Sequence, residues 1–107
     1  MPVTITSAET DQTTRAFADQ LEPYSAAHPA SQIDIYRQNE YSVRVRVVDA
    51  GFRGKTRSER HKLIWPILYE LPEETLSELT MLVLITPEER TSSMASREFD
   101  DPIPSRL

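Results

Sequence analysis

The chain of 107 residues has no cysteine, two glycines and one tryptophan. Without cysteine, the chain itself supplies no disulfide framework, thiol nucleophile, thiolate zinc site or cysteine-held iron–sulfur cluster. Both glycines fall in the short stretch DAGFRGKT, and no glycine-rich phosphate loop with its lysine is read there. No apolar run approaches the ~20 residues of a membrane helix. The opening MPVTITSAET has neither a basic start nor an apolar core, so no secretory leader is expected. A small cytoplasmic domain is the expectation these absences leave.

What is present fits that class. The chain is 38% hydrophobic and 27% charged, inside the globular range. This length suits one domain that buries roughly two thirds of its unfolded surface. Twelve basic residues stand against seventeen acidic ones, for a formal charge of −5. The distribution is uneven. Residues 37–62 hold Arg37, Arg44, Arg46, Arg53, Lys55, Arg57, Arg60 and Lys62 against Glu40, Asp49 and Glu59. That window is +5, so the remainder carries −10. From Glu70 to Glu89 there are only acids among the charged residues.

Three Thr-x-x-Glu spacings, Thr6–Glu9, Thr56–Glu59 and Thr86–Glu89, predict capping boxes and hence helix starts. Pro87 strengthens the third, because a first-turn residue needs no amide donor. The first predicts a helix over 9–22, with Phe17, Leu21 and Tyr24 on one face and Pro23 as its stop. The SAAHPAS stretch then reads as a loop. Residues 32–48 read as a hairpin turning at Gln38-Asn39-Glu40. Val43, Val45 and Val47 take the buried face of its second strand, and Arg44 and Arg46 the wet one. After the glycine-containing connector, Leu63, Ile64, Ile67, Leu68 and Leu71 form a helical stripe, which Pro66 is expected to kink or divide. PEETLSE reads as a turn or short helix, and LTMLVLI at 79–85 as a buried strand. A brief helix follows Pro87.

The fold class expected is α+β. A three-stranded sheet carries helices on one face, in the order α-β-β-α-(short α)-β-α, because a strand rejoining its sheet through a helix lays that helix across it. Residues 1–8 are expected as a flexible terminus, 9–93 as the domain and 94–107 as an extended polar tail. A one-sided sheet would leave Met81, Val83 and Ile85 in water. Either the tail covers them through Phe99 and Ile103, or a second chain does, making a homodimer across the 79–85 strand face.

Catalytic patterns are missing: no Ser/His/Asp set has positional support, and the paired glutamates sit at helix starts, where acids are expected anyway. No enzyme and no cofactor are predicted. His61, one turn from Ile64 and Trp65, reads as a packing and hydrogen-bonding residue rather than a metal ligand. His28 reads as a solvated loop residue. Gly51-Phe52-Arg53-Gly54 spells the Gly-x-x-Gly of KH domains, but it follows a strand instead of joining two helices, and a turn explains it. Arg44, Arg46, Arg53, Lys55, Arg57, Arg60 and Lys62 form the candidate partner- or anion-binding patch. A protein partner is favoured over nucleic acid, since the chain is acidic overall and no stacking aromatics interleave these charges.

The stretch VRVVDAGFRGKTRSERHKLIWPILYELPEE resembles the centre of the BolA family. Phe52 and Gly54 match that family's Phe-x-Gly turn, and Arg60-His61-Lys62 matches its helix signature. Leu63-Ile64-Trp65 continues it, and Thr86–Glu89 resembles its closing Thr-Pro-Glu-Glu. The likeness spans roughly 10–92 and is clearest at 43–71 and 82–89. It implies a fold resembling the type II KH arrangement and a regulatory or adaptor role in stress response or iron–sulfur handling. A glutaredoxin-type protein is the partner the resemblance implies. It also implies a cluster histidine where this chain reads Ser77-Glu78-Leu79-Thr80, and a second ligand in the loop that reads Gln38-Asn39-Glu40. Neither ligand is present, so any cluster role is expected to be indirect.

Overall fold

The computed structural model describes residues 3–5, 11–90 and 99. Strands β2 (Gln32–Asn39) and β3 (Ser42–Val48) form the expected antiparallel hairpin, with Ile33 opposite Val47 and Ile35 opposite Val45. A register shift between Arg37 and Asn39 carries the turn to Glu40-Tyr41, later than the sequence suggests, and the Tyr41 amide donates to Asn39 Oδ1 at 2.8 Å. Strand β4 (Leu79–Ile85) runs parallel to β3. A second register shift, between Val43 and Arg44, lets Leu79 and Leu82 both reach the helix-covered core.

The sheet has four strands rather than three. Strand β1 (Val3–Ile5), within the segment expected outside the domain, pairs parallel with β2 and gives the order β1-β2-β3-β4. Three residues are too few to show a period, and the strand is held by partners: Val3 and Ile5 pack against the main core.

Helix α1 (Gln12–Ala27) starts and ends later than predicted. Its cap is Asp11, whose Oδ1 accepts from the Thr14 amide at 2.8 Å while its own amide donates to Thr14 Oγ1 at 3.2 Å. The Thr6–Glu9 pair lies outside the described residues. Pro23 does not stop the helix. Pro23 and Asp19, whose carbonyl loses its donor, are both exposed, so water can replace the missing bond. Phe17 and Leu21, fully buried, and Tyr24 beside them hold the helix on the sheet across that point.

The connector makes a 3₁₀ turn (Ala50–Phe52), and helix α2 (Arg57–Leu68) follows. Here the expected capping box is present: the Glu59 amide donates to Thr56 Oγ1 at 3.2 Å, and the Thr56 amide to Glu59 Oε1 at 2.8 Å. Pro66 leaves α2 undivided, again with both Pro66 and Lys62 exposed. Ile64 and Leu68 are buried and Ile67 and Leu71 pack beside them, but Leu63, predicted within the stripe, is 46% exposed. A four-residue helix α3 (Glu73–Leu76) leads into β4. The closing helix is a single 3₁₀ turn (Pro87–Glu89) capped by Thr86.

Both long helices cover one sheet face, where Ile33, Ile35, Val43, Val45 and Val47 meet Phe17, Leu21, Ile64 and Leu68. Each such side chain stabilises the fold by about 1.5–3 kcal/mol relative to full exposure. The opposite face is not wet, which corrects the reading of β3. Tyr36, Val48, Val83, Ile85 and Phe99 cluster there with Met81 beside them. Phe99 is thus one half of the expected cover, supplied by the same chain; Ile103 and the rest of the 94–107 tail lie outside the described residues.

Candidate functional site

The seven predicted cations do not form one surface. Arg46 is 1% exposed, and its Nε donates to Asp34 Oδ2 at 3.0 Å directly across the β2–β3 ladder. Phe99 stacks on it, with the guanidinium 5.2 Å from the ring centre. Arg44, half-buried on the same face, donates through Nη1 to the Tyr36 hydroxyl at 3.2 Å. Burial pushes that Tyr36 hydroxyl above the ordinary phenol range, against the pull of Arg44.

Arg60 is also structural. It fastens α2 to the end of β4 by donating to the Leu84 carbonyl at 2.9 Å and Glu89 Oε1 at 2.7 Å. Arg53 is exposed but forked onto Glu88, with Nε to Oε1 at 2.8 Å. The hydrogen bond from Arg53 holds the Glu88 carboxyl down to about 2, and the same bond raises Arg53. Salt screens such an exposed pair, so it adds little to stability. Lys55, Arg57 and Lys62 remain: all are exposed near the start of α2, and none makes an ion pair among the described residues.

Beside these three, α2 carries a feature that the sequence reading assigned to packing. His61, Trp65 and Tyr69 recur every four residues and stack along the helix, with ring centres 6.3 Å apart for the first pair and 5.1 Å for the second. Trp65 Nε1–H donates to His61 Nδ1 at 2.8 Å, which in the neutral ring places the imidazole proton on Nε2. His61 and Trp65 are half-buried and Tyr69 is 68% exposed. With Ser58, Lys62 and Pro66 these rings line a shallow groove of about 330 Å³. The spacing 61-65-69 was available in the sequence as a possible signal. It was missed because Trp65 also lies beside the buried stripe, where an aromatic is usually core.

The Gly-x-x-Gly segment is a turn. Asp49 Oδ1 accepts from the Gly51 amide at 2.8 Å, and Gly54 takes a φ of +76°, the left-handed region that favours glycine. Asp49 Oδ2 receives the Tyr24 hydroxyl at 2.5 Å, tying α1 to the exit of β3. Burial, and then that bond to a carboxylate, push the Tyr24 phenol well above its usual range. His28, exposed, stacks on Tyr24 with centroids 4.0 Å apart.

At the positions where the sequence resemblance implies cluster ligands, the side chains are committed elsewhere. Glu78 Oε1 pairs with Arg37 Nη2 at 2.9 Å, and its Oε2 accepts from Thr13 Oγ1 at 2.9 Å. Arg37 also grips Asp11 at 2.5 Å and donates to the Asn39 and Glu40 carbonyls at 3.1 Å each. The Arg37 hydrogen bond, opposed by partial burial, holds the Asp11 carboxyl below its ordinary range. This is a hard-oxygen set already bound to a guanidinium, and it does not fit an iron–sulfur cluster. No group of three or more histidine, cysteine, aspartate or glutamate side chains converges on a metal-sized site among the described residues. No helix among them is long and apolar enough to cross a membrane.

The class defined by these features is a small α+β domain, with a mixed four-stranded sheet, helices on one face and an aromatic groove on the outer side of α2. No family model and no curated protein matches the chain. Among solved structures, it is similar to BolA1 from Arabidopsis thaliana, at 23% sequence identity and a TM-score of 0.49, covering 75% of this chain and 98% of that one.

Proposed function

We propose that this chain is a small, non-enzymatic binding protein of BolA-like type, acting as a regulatory adaptor through a protein partner that docks on the outer side of α2. The observation that carries the reading is the His61–Trp65–Tyr69 ladder. Stacked rings partly open to solvent contribute less to the fold than buried ones and supply the kind of anchor that dominates protein interfaces. Lys62 lines the same groove and Lys55 and Arg57 are exposed near the start of α2, a set of cations that suits an acidic partner. Any link to stress response or iron–sulfur handling runs through that partner, because Glu78 and the β2–β3 turn are engaged by Arg37. A glutaredoxin-type partner would then bring every cluster ligand itself.

A second reading, a nucleic-acid-binding regulator, draws on the same cations and rings, since bases stack on aromatic faces. The two separate in one experiment. A photo-crosslinking residue at exposed Leu63 is introduced into the intact chain, and adducts are captured in native lysate. Protein docking predicts a discrete protein adduct, identified by mass spectrometry, that Tyr69→Ala weakens and nuclease leaves intact. An adduct removed by nuclease, with salt-steep binding, supports the second reading and overturns the first.

A further inference from the structure

We propose that the groove along α2 receives an extended, proline-containing peptide segment whose acidic residues lie toward Arg57 and Lys62. This deepens the reading of α2 as a docking surface and rests on it.

The groove is shallow and largely apolar: Trp65, Tyr69 and Pro66 line it, with the Trp65 and Tyr69 rings stacked on each other. Proline rings pack on apolar surfaces of this kind. A segment already in the polyproline conformation loses little entropy on docking there, which suits a shallow site with modest contact area. Hydrogen-bond supply points the same way. Trp65 Nε1–H is spent on His61 Nδ1, leaving Nε2–H as the neutral imidazole's donor. Proline-rich backbone is rich in carbonyl acceptors and poor in amide donors, so it asks for such a donor and leaves few amides unmet.

Charge sets the direction. Arg57 and Lys62 lie toward the amino end of α2, where the Glu59 carboxylate between them is engaged by the Thr56 amide, whereas Glu70, Glu73 and Glu74 follow its carboxyl end. An acidic residue ahead of the prolines meets the cationic end. The same polarity disfavours a nucleic-acid strand, whose evenly spaced phosphates would run from the lysine into three glutamates.

The test uses the full chain and a synthetic peptide, acetyl-Asp-Asp-Pro-Leu-Pro-Pro-amide. Emission from Trp65, the chain's single tryptophan, is followed together with backbone amide shifts. The inference predicts saturable changes centred on Ser58–Tyr69. Replacing the peptide prolines by alanine, or the aspartates by lysine, weakens binding about tenfold. Lys62→Glu and Tyr69→Ala weaken it comparably; both positions are exposed, so folding is spared, and unchanged amide spectra elsewhere verify that. Equal binding of the alanine peptide, preferential binding of a thymidine homopolymer, or shifts confined to the sheet would overturn the inference. The Leu63 crosslink keeps the two readings apart. A Tyr69-sensitive protein adduct with no peptide binding sinks only the peptide inference, while an adduct indifferent to Tyr69→Ala sinks the docking surface too.

Discussion

Arg46 stands directly opposite Asp34 in the β2–β3 register, and the pair is sealed beneath the ring of Phe99. Two opposite charges at 1% and 5% side-chain exposure are tolerable only together, because each alone would be a buried, unpaired ion. Arg46→Ala is therefore expected to destabilise the fold by about 3–5 kcal/mol in urea unfolding. The apolar double replacement Asp34→Leu with Arg46→Met should recover most of that loss. A double variant no better than the single one would mean that the pair does more than cancel its own burial.

Phe99 is the described residue through which the tail covers the outer sheet face, packed edge-on against Tyr36 at 5.0 Å. Phe99→Ala is expected to cost on the order of 3 kcal/mol and to expose Val83 and Ile85. Sedimentation should then show concentration-dependent self-association absent from the unaltered chain. Unchanged stability in the variant would remove Phe99 from the core account.

The Asp11–Arg37 contact gives stability a defined pH dependence. Asp11 titrates below its ordinary 3.8 in the folded chain, so its contribution is complete above that value and fades as pH falls through the folded value. Asp11→Asn keeps a good helix cap but removes the titrating group. Between about pH 5 and pH 3, the unaltered chain should lose more unfolding free energy than the variant. Other carboxylates, such as Glu88 and Glu89, are present in both proteins and cancel in the difference. Equal losses would contradict the assignment.

Gly54 has open space where a side chain would stand, so the cost of replacing it is conformational. At φ +76°, Gly54→Ala should cost about 1–2 kcal/mol in urea unfolding, and Gly54→Asn less. A neutral Gly54→Ala would show that the turn relaxes.

Where local chemistry decides structure, the sequence was readable. The Thr56–Glu59 box, the alternation of the hairpin and the apolar run of β4 each carry their own signal, and together they place three of the four strands and the start of α2. What failed depended on partners distant in the chain. Pro23 does not end α1 and Pro66 does not divide α2, because Asp19 and Lys62, whose carbonyls lose their donors, are exposed, a fact of tertiary placement. Alternation in β3 is the same whether its second face meets water or Phe99, so Arg46 was assigned to the surface. Register alone brings it to Asp34. The candidate patch broke up for the same reason: Arg53 and Arg60 meet Glu88 and Glu89, which lie far along the chain.

The central claim is that the outer side of α2 is where a protein partner docks. Amide hydrogen exchange on the intact chain, free and bound to the partner captured through Leu63, tests it most directly. The account predicts added protection across Ser58–Tyr69, with β2 and β3 unchanged. Protection confined to the β2–β3 strands, with α2 exchanging as in the free chain, would contradict it.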